Sequence, residues 1–307
     1  MTARRSSPRD DNRAVPDARV KVLYVAGVPR CGSTILGALL GQVEGVFFAG
    51  EVVQTANVVE RGISCGCGEP LESCPVWGGV FARAFPADGR DRPTMLHLSR
   101  RDGRAVGVAR HVLRARGLLP ASPALERVTK AFADTFVALQ EETGARVVVD
   151  SSKSPAYARL LQNDPRIDLH VLHLVRDPRA TTWSWLRDPL IHDRPSTVAL
   201  IWDFWNPLIE LLWRRSRYLR LRYEDFASEP ERAVRRILEL VGERPDALPF
   251  VSPDEVLLAP THSVHGNPNR FRSGPVEIAL DDSWLRAPEF RGRRIVTWLT
   301  APLRLRY

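Results

Sequence analysis

Val20-Lys21-Val22-Leu23-Tyr24-Val25-Ala26-Gly27-Val28-Pro29-Arg30-Cys31-Gly32-Ser33-Thr34 reads as a buried strand, a glycine-bearing turn and the first turn of a helix. Residues 20–26 are a nearly continuous apolar run rich in β-branched side chains, the mark of a strand covered on both faces in a parallel sheet. Beyond the turn at 27–32, Ile35, Leu36, Leu39, Leu40 and Val43 recur at helical spacing. Gly37 and Gly41, four apart, free one face of that helix for close packing on the sheet. The two loop glycines keep the spacing of a phosphate-binding P-loop, with Ser33 where that motif has lysine. Backbone amides at a helix N-terminus, the Ser33 and Thr34 hydroxyls and the Arg30 charge remain suited to an anion.

Outward from this segment, buried strands of the same type are expected at 146–149, 169–175 and 218–223. Helical patterns follow, starting near Pro155, Pro178 and Glu229. Strands alternating with helices predict an α/β fold, a three-layer parallel sheet whose ligands bind beyond the carboxyl ends of the strands. Residues 1–19 are polar and aperiodic and read as a disordered tail; 20–307 read as one domain. Within it, 45–145 hold a cysteine cluster and a helix at 124–142, and read as a helical cap inserted between the first two strands. The stretch 244–280 is rich in proline and charge without periodicity and reads as a long lid loop.

Of 307 residues, 44% are apolar and 26% charged, which excludes a fibrous or wholly disordered chain. No run approaches the roughly eighteen apolar residues of a membrane span, and the five arginines of the first twenty residues flank no signal-peptide core, so no integral membrane anchor and a cytoplasmic location are expected. The net charge is +8, which favours anionic partners. Only three of the 44 basic residues are lysines, and the arginines are spread without a basic run or aromatic stripe, so no nucleic-acid partner is expected. Cys65, Cys67 and Cys74 offer three soft ligands, one short of a closed zinc site, and no fourth stands at a suitable spacing. The expectation is therefore reduced thiols packing the cap and no metal. His170, His173, His262 and His265 show no ligand spacing and read as structural. The tryptophans fall on expected helices and read as core, with Trp202 or Trp205 left as a possible wall of an acceptor pocket.

A second constellation follows the strand at 169–175. Arg176-Asp177-Pro178 ends the strand and opens a helix, and Ser184 lies about 9 Å further along the axis from Pro178. A guanidinium and a hydroxyl so placed can converge on one phosphate. Together the two segments resemble the sulfotransferase family that uses 3′-phosphoadenosine 5′-phosphosulfate (PAPS). Residues 29–34 are similar to its 5′-phosphosulfate loop, and Arg176 with Ser184 to its 3′-phosphate motif. Leu221-Arg222-Tyr223-Glu224-Asp225-Phe226 resembles its Tyr-Glu-Asp strand end, where the tyrosine contacts adenine, and residues 266–274 resemble its late cofactor loop. The likeness spans 27–274 and is greatest to bacterial members, which share Cys65-Gly66-Cys67-Gly68 with Cys74-Pro75-Val76-Trp77. The departures are Arg30, where many members carry lysine, and Cys31, where serine is common.

What the resemblance implies is in-line transfer of a sulfuryl group from PAPS, without a metal, to a hydroxyl or amine of a small molecule, glycan or lipid. Many members use a histidine two residues after a lysine as base; here Lys153 is followed by Pro155 in that place. Other branches use a glutamate, and Gly50-Glu51 resembles theirs. The expected catalytic residues are then Glu51 as base, with Lys153 and Arg30 as cations. The expected cofactor contacts are Arg30, Cys31, Gly32, Ser33, Thr34, Arg176, Ser184, Tyr223, Arg270, Arg272 and Gly274. Two readings compete: a P-loop kinase or NTPase, in which Asp150 after Val147-Val148-Val149 would hold magnesium, and a nucleotide binder without transfer activity.

Overall fold

A computed structural model describes residues 19–85, 105–120, 122–188, 192–287, 290 and 292–307. Residues 1–18 of the tail expected at 1–19, and 86–104 of the expected cap, lie outside the described residues. Five parallel strands form the central sheet: β1 (Val20–Ala26), β2 (Val46–Gly50), β3 (Val147–Asp150), β4 (Ile167–Val175) and β5 (Tyr218–Arg222), ordered β2-β3-β1-β4-β5. Helix α1 (Ser33–Leu40) joins β1 to β2. Between β2 and β3 lie α2 (Thr55–Glu60), α3 (Pro75–Ala84), α4 (Ala105–Ala115) and α5 (Pro123–Thr143). Helix α6 (Pro155–Gln162) precedes β4, and α7 (Pro178–Leu186) and α8 (Pro195–Trp213) precede β5. The chain ends through α9 (Tyr223–Ser228), α10 (Pro230–Leu240), a β6 (Glu255–Leu258) and β7 (Gly274–Glu277) pair, α11 (Arg293–Leu299) and α12 (Ala301–Arg304).

Strand β1 shows why there are three layers. Val22, Tyr24 and Ala26 join one buried cluster with Phe132, Phe136 and Tyr157, whereas Leu23 and Val25 join another with Leu36, Leu39 and Ile237. The period-two alternation of a strand thus gives each helical layer its own apolar face. The missing Cβ of Gly37 admits the Phe48 ring, which an alanine there would meet at 2.2 Å, so α1 lies close on β2.

Two expectations need correction. The first residues of 45–145 belong to the sheet, because Val46–Gly50 pair in parallel with β3 as an edge strand; a five-residue run between Gly45 and Glu51 is too short to stand out by periodicity. The stretch 244–280 is also more ordered than a loop, since β6 and β7 pair antiparallel. Each has only four residues, and Gly274 and Pro275 erase the alternation that marks longer strands.

The strand order fixes where a ligand fits. β1 pairs with β3 on one side and β4 on the other, so the connections leaving β1 and β4 run to opposite sides of the sheet. A crevice opens at their carboxyl ends. Register brings Ala26 beside His173 and Tyr24 beside Asp150, so the loops after β1, β3 and β4 emerge together.

Candidate active site

The loop after β1 turns through two left-handed residues, Arg30 at φ 74° and Gly32 at φ 97°. A Cβ on Gly32 would stand 2.4 Å from the Tyr223 ring, so only glycine serves there. No side chain caps α1, which leaves its first-turn amides open to an anion. Arg30 Nε donates to the Ser184 carbonyl at 3.2 Å and to Ser184 Oγ at 3.3 Å, joining this loop to α7.

Arg176 stands where β4 ends and is almost wholly buried. Its Nη1 donates to the Arg30 carbonyl at 3.1 Å, its Nη2 to Asp281 Oδ2 at 2.9 Å, and its guanidinium lies 4.5 Å from the centre of the Tyr223 ring. Its Nε is buried with no hydrogen-bond partner among the described residues. Trp202 Nε1 donates to the Arg176 carbonyl at 2.9 Å. Trp202 is therefore a core residue holding the end of β4, and it is not among the residues that line the cavity of this site.

Asp150, at the end of β3, is fully buried, and its carboxylate accepts from Ser152 and from the Val52 amide. Burial pushes its pKa up to about 6 against those hydrogen bonds. These bonds hold the turn that throws Lys153 into φ 54°, a strained conformation for a side-chain-bearing residue. Lys153 Nζ donates to Glu51 Oε1 at 2.7 Å, to Ser33 Oγ at 3.2 Å and to the Ser151 carbonyl at 2.5 Å. On its far side Glu51 Oε2 lies 3.2 Å from His265 Nδ1. Burial raises the Glu51 carboxyl, but the Lys153 charge and the His265 contact outweigh it and hold the pKa at about 2.

These groups face one cavity of about 630 Å³, within the usual range for ligand pockets of roughly 300–1,000 Å³. Arg30, Gly32, Ser33, Thr34, Glu51, Lys153, Arg176, Ser184, Tyr223 and Arg272 all line it. Three expected contacts do not. Cys31 is buried beneath the loop at 1% exposure, and Gly274, which opens β7 at φ 88°, is not among the lining residues. Arg270 turns inward, its guanidinium donating to the carbonyls of Ser263, Val264 and Ser64. His265, expected from the sequence to be structural, and Asp281, which the sequence did not mark, are also on the wall. His265 immediately precedes the 266–274 motif, the one signal that pointed to it; nothing in the spacing marks Asp281. The buried carboxylate of Asp150 is not on this wall, which removes the magnesium ligand that the NTPase reading needs.

A profile of the Sulfotransferase family matches residues 23–246. The chain belongs to the sulfotransferase family. Among relatives of this family, carbohydrate sulfotransferase 1 of Danio rerio is 30% identical over 105 residues, 27% of this chain and 25% of that protein. Carbohydrate sulfotransferase 3 of Mus musculus is 33% identical over 104 residues, 27% of this chain and 22% of that protein. The match thus spans about a quarter of the length of these curated relatives. Among solved sulfotransferase structures, the sulfotransferase domain from the Synechococcus PCC 7002 olefin synthase superposes with a TM-score of 0.52 at 22% identity, covering 94% of this chain and 97% of that one. It shares the fold. Among the described residues no helix is long and apolar enough to cross a membrane.

Proposed function

We propose that this sulfotransferase-family chain moves the sulfuryl group of PAPS to a hydroxyl, or an amine, of a small-molecule, glycan or lipid acceptor. One observation carries the reading: the open N-terminus of α1 and the Arg176 side chain line the same cavity, with Lys153 and Glu51 between the loops. Amides of the 32–34 turn with the Ser33 and Thr34 hydroxyls take the 5′-phosphosulfate, and Arg176 with Ser184 and Arg272 takes the 3′-phosphate. Tyr223 offers its ring to adenine. When bound, PAPS supplies an activated sulfur whose bond to the bridging oxygen breaks as the acceptor oxygen bonds to sulfur, releasing adenosine 3′,5′-bisphosphate.

In this reading Lys153 and Glu51 change partners. Lys153 and Arg30 neutralise charge on the departing phosphate. Each step of Lys153 toward the nucleotide removes the main attraction that keeps Glu51 acidic. Burial, the largest influence on that carboxyl, then raises its proton affinity. Glu51 becomes a base only when the donor is in place, and it takes the acceptor proton while His265 holds its other oxygen.

The carbohydrate sulfotransferases among the relatives make a sugar hydroxyl the first acceptor class to test. A cytoplasmic location suits the four unpaired cysteines, which persist best in a reducing compartment. The experiment is incubation with sulfur-labelled PAPS and panels of glycans, lipids and small hydroxylated metabolites, with products identified by mass. Label transfer with release of adenosine 3′,5′-bisphosphate supports the reading. Nucleotide binding without transfer to any panel favours the non-catalytic binder.

A further inference from the structure

The fourth ligand missing from the local sequence is supplied by the fold. His262, 188 residues after Cys74, turns Nδ1 to 3.2 Å from the Cys74 sulfur. The ligand atoms of Cys65, Cys67, Cys74 and His262 all lie within 4.8 Å of one another. We propose that these four residues bind one zinc ion in a closed structural site that pins the segment carrying His265 to the turn at 65–74.

Tetrahedral zinc, with bonds of about 2.3 Å to sulfur and about 2.0 Å to nitrogen, places its ligands within roughly 4 Å of one another, so the cluster needs only side-chain adjustment to close on the ion. Three sulfurs and one imidazole nitrogen are a donor set that favours zinc over magnesium or calcium. Cys65 and Cys74 are buried, and four protein ligands leave no open position, which makes the site structural and not catalytic.

The surroundings are built to hold the four residues in place. The Cys65 amide donates to the Glu69 carbonyl at 2.7 Å and the Gly68 amide to the Cys65 carbonyl at 2.9 Å, closing a tight turn around Cys67. Gly66 donates to the Ser263 carbonyl at 2.9 Å, and a Cβ there would stand 2.5 Å from the Thr261 carbonyl, so this turn and the 261–263 segment lie backbone to backbone. Cys74 stands at the N-terminus of α3, where the helix field favours a thiolate. Trp77 Nε1 anchors the His262 carbonyl at 2.6 Å. Three thiolates and a neutral imidazole on zinc carry one net negative charge. The Arg270 guanidinium, 5% exposed, meets the carbonyls of Ser64 and Ser263, each next in sequence to a ligand, and its charge balances that of the site.

Binding joins two parts of the chain far apart in sequence. His265 follows His262 by three residues, and the Val264 amide between them donates to the Ala49 carbonyl at 2.9 Å, two residues before Glu51. The ion therefore fixes the backbone that presents His265 to Glu51.

The test is metal analysis of the full chain, purified without chelator and without an added metal-binding tag. One zinc per chain is expected, released on titration with an organomercurial. Replacement by cobalt should give thiolate-to-cobalt charge-transfer bands and the intense visible bands of a tetrahedral site. Cys67→Ser and His262→Ala should each lower retained zinc at least tenfold after dialysis against a competing chelator. Wild-type protein that carries no zinc and binds none on addition, or that shows a Cys65–Cys74 disulfide by mass, overturns the proposal. The cobalt spectrum is read on unmutated protein and decides the matter even where a variant fails to fold.

Discussion

Lys153 Nζ stands 2.7 Å from Glu51 Oε1 and 3.2 Å from Ser33 Oγ, so one ammonium is shared between the carboxylate after β2 and the loop after β1. The three strand ends they follow are neighbours in the sheet, and the left-handed turn at Lys153 aims the side chain between the other two.

Glu51→Gln keeps the shape of this side chain and removes its basicity. The variant should bind adenosine 3′,5′-bisphosphate within a few-fold of the parent and lose roughly 10²- to 10⁴-fold in transfer rate. Calorimetry and labelled-sulfur transfer check the two halves separately. An unchanged rate would remove Glu51 from the chemistry.

The same ion pair predicts a pH effect on stability. The folded pKa of Glu51, about 2, lies below the value near 4.3 of an unfolded chain. Its stabilising contribution is therefore complete above about pH 4.3 and is lost as pH falls toward 2, to the extent of order 3 kcal/mol. Glu51→Gln should flatten that part of the stability curve, measured by denaturant unfolding at successive pH values. Free protein should also show no acid limb from Glu51 in kcat/KM between pH 5 and 8, since the carboxylate is ionised throughout.

Gly32→Ala forces a side chain into φ 97° and drives its Cβ to 2.4 Å from the Tyr223 ring. The backbone strain alone costs about 1–2 kcal/mol, and moving Tyr223 disturbs the face it shares with Arg176. A lower melting temperature together with weakened nucleotide binding is expected, read by thermal unfolding and calorimetry.

Asp281 holds the Arg176 Nη2 at 2.9 Å, on the wall where a phosphate would seek the same donor. Two anions cannot share it without repulsion. Asp281→Asn should tighten binding of adenosine 3′,5′-bisphosphate by about threefold to tenfold and leave adenosine 5′-phosphate nearly unchanged, by calorimetry.

Part of this site was legible in the sequence because several of its residues sit at the end of a strand that announces itself. Val20–Ala26 and Ile167–Val175 are long apolar runs, so Ser33, Thr34 and Arg176 could be placed by counting past them. Val46–Gly50 is short, and so Glu51 was reached through resemblance and not through the strand that carries it. Arg270 and Arg272 are two residues apart in a loop, and only the fold separates them: one is spent on three backbone carbonyls, the other faces the cavity. His262 was illegible for a different reason. A residue 188 positions beyond Cys74, and further still from Cys65 and Cys67, has no spacing signal, because tertiary packing alone brings it there.

Whether one nucleotide is held at both of its phosphates is decided by a cycle of affinities. Binding of adenosine 3′,5′-bisphosphate and of adenosine 5′-phosphate is measured by calorimetry for the parent and for Arg176→Ala. A charge-assisted bidentate contact predicts that deleting the 3′-phosphate costs the parent roughly 30- to 100-fold and costs the variant almost nothing. Equal losses in both proteins would place the 3′-phosphate elsewhere and contradict the account.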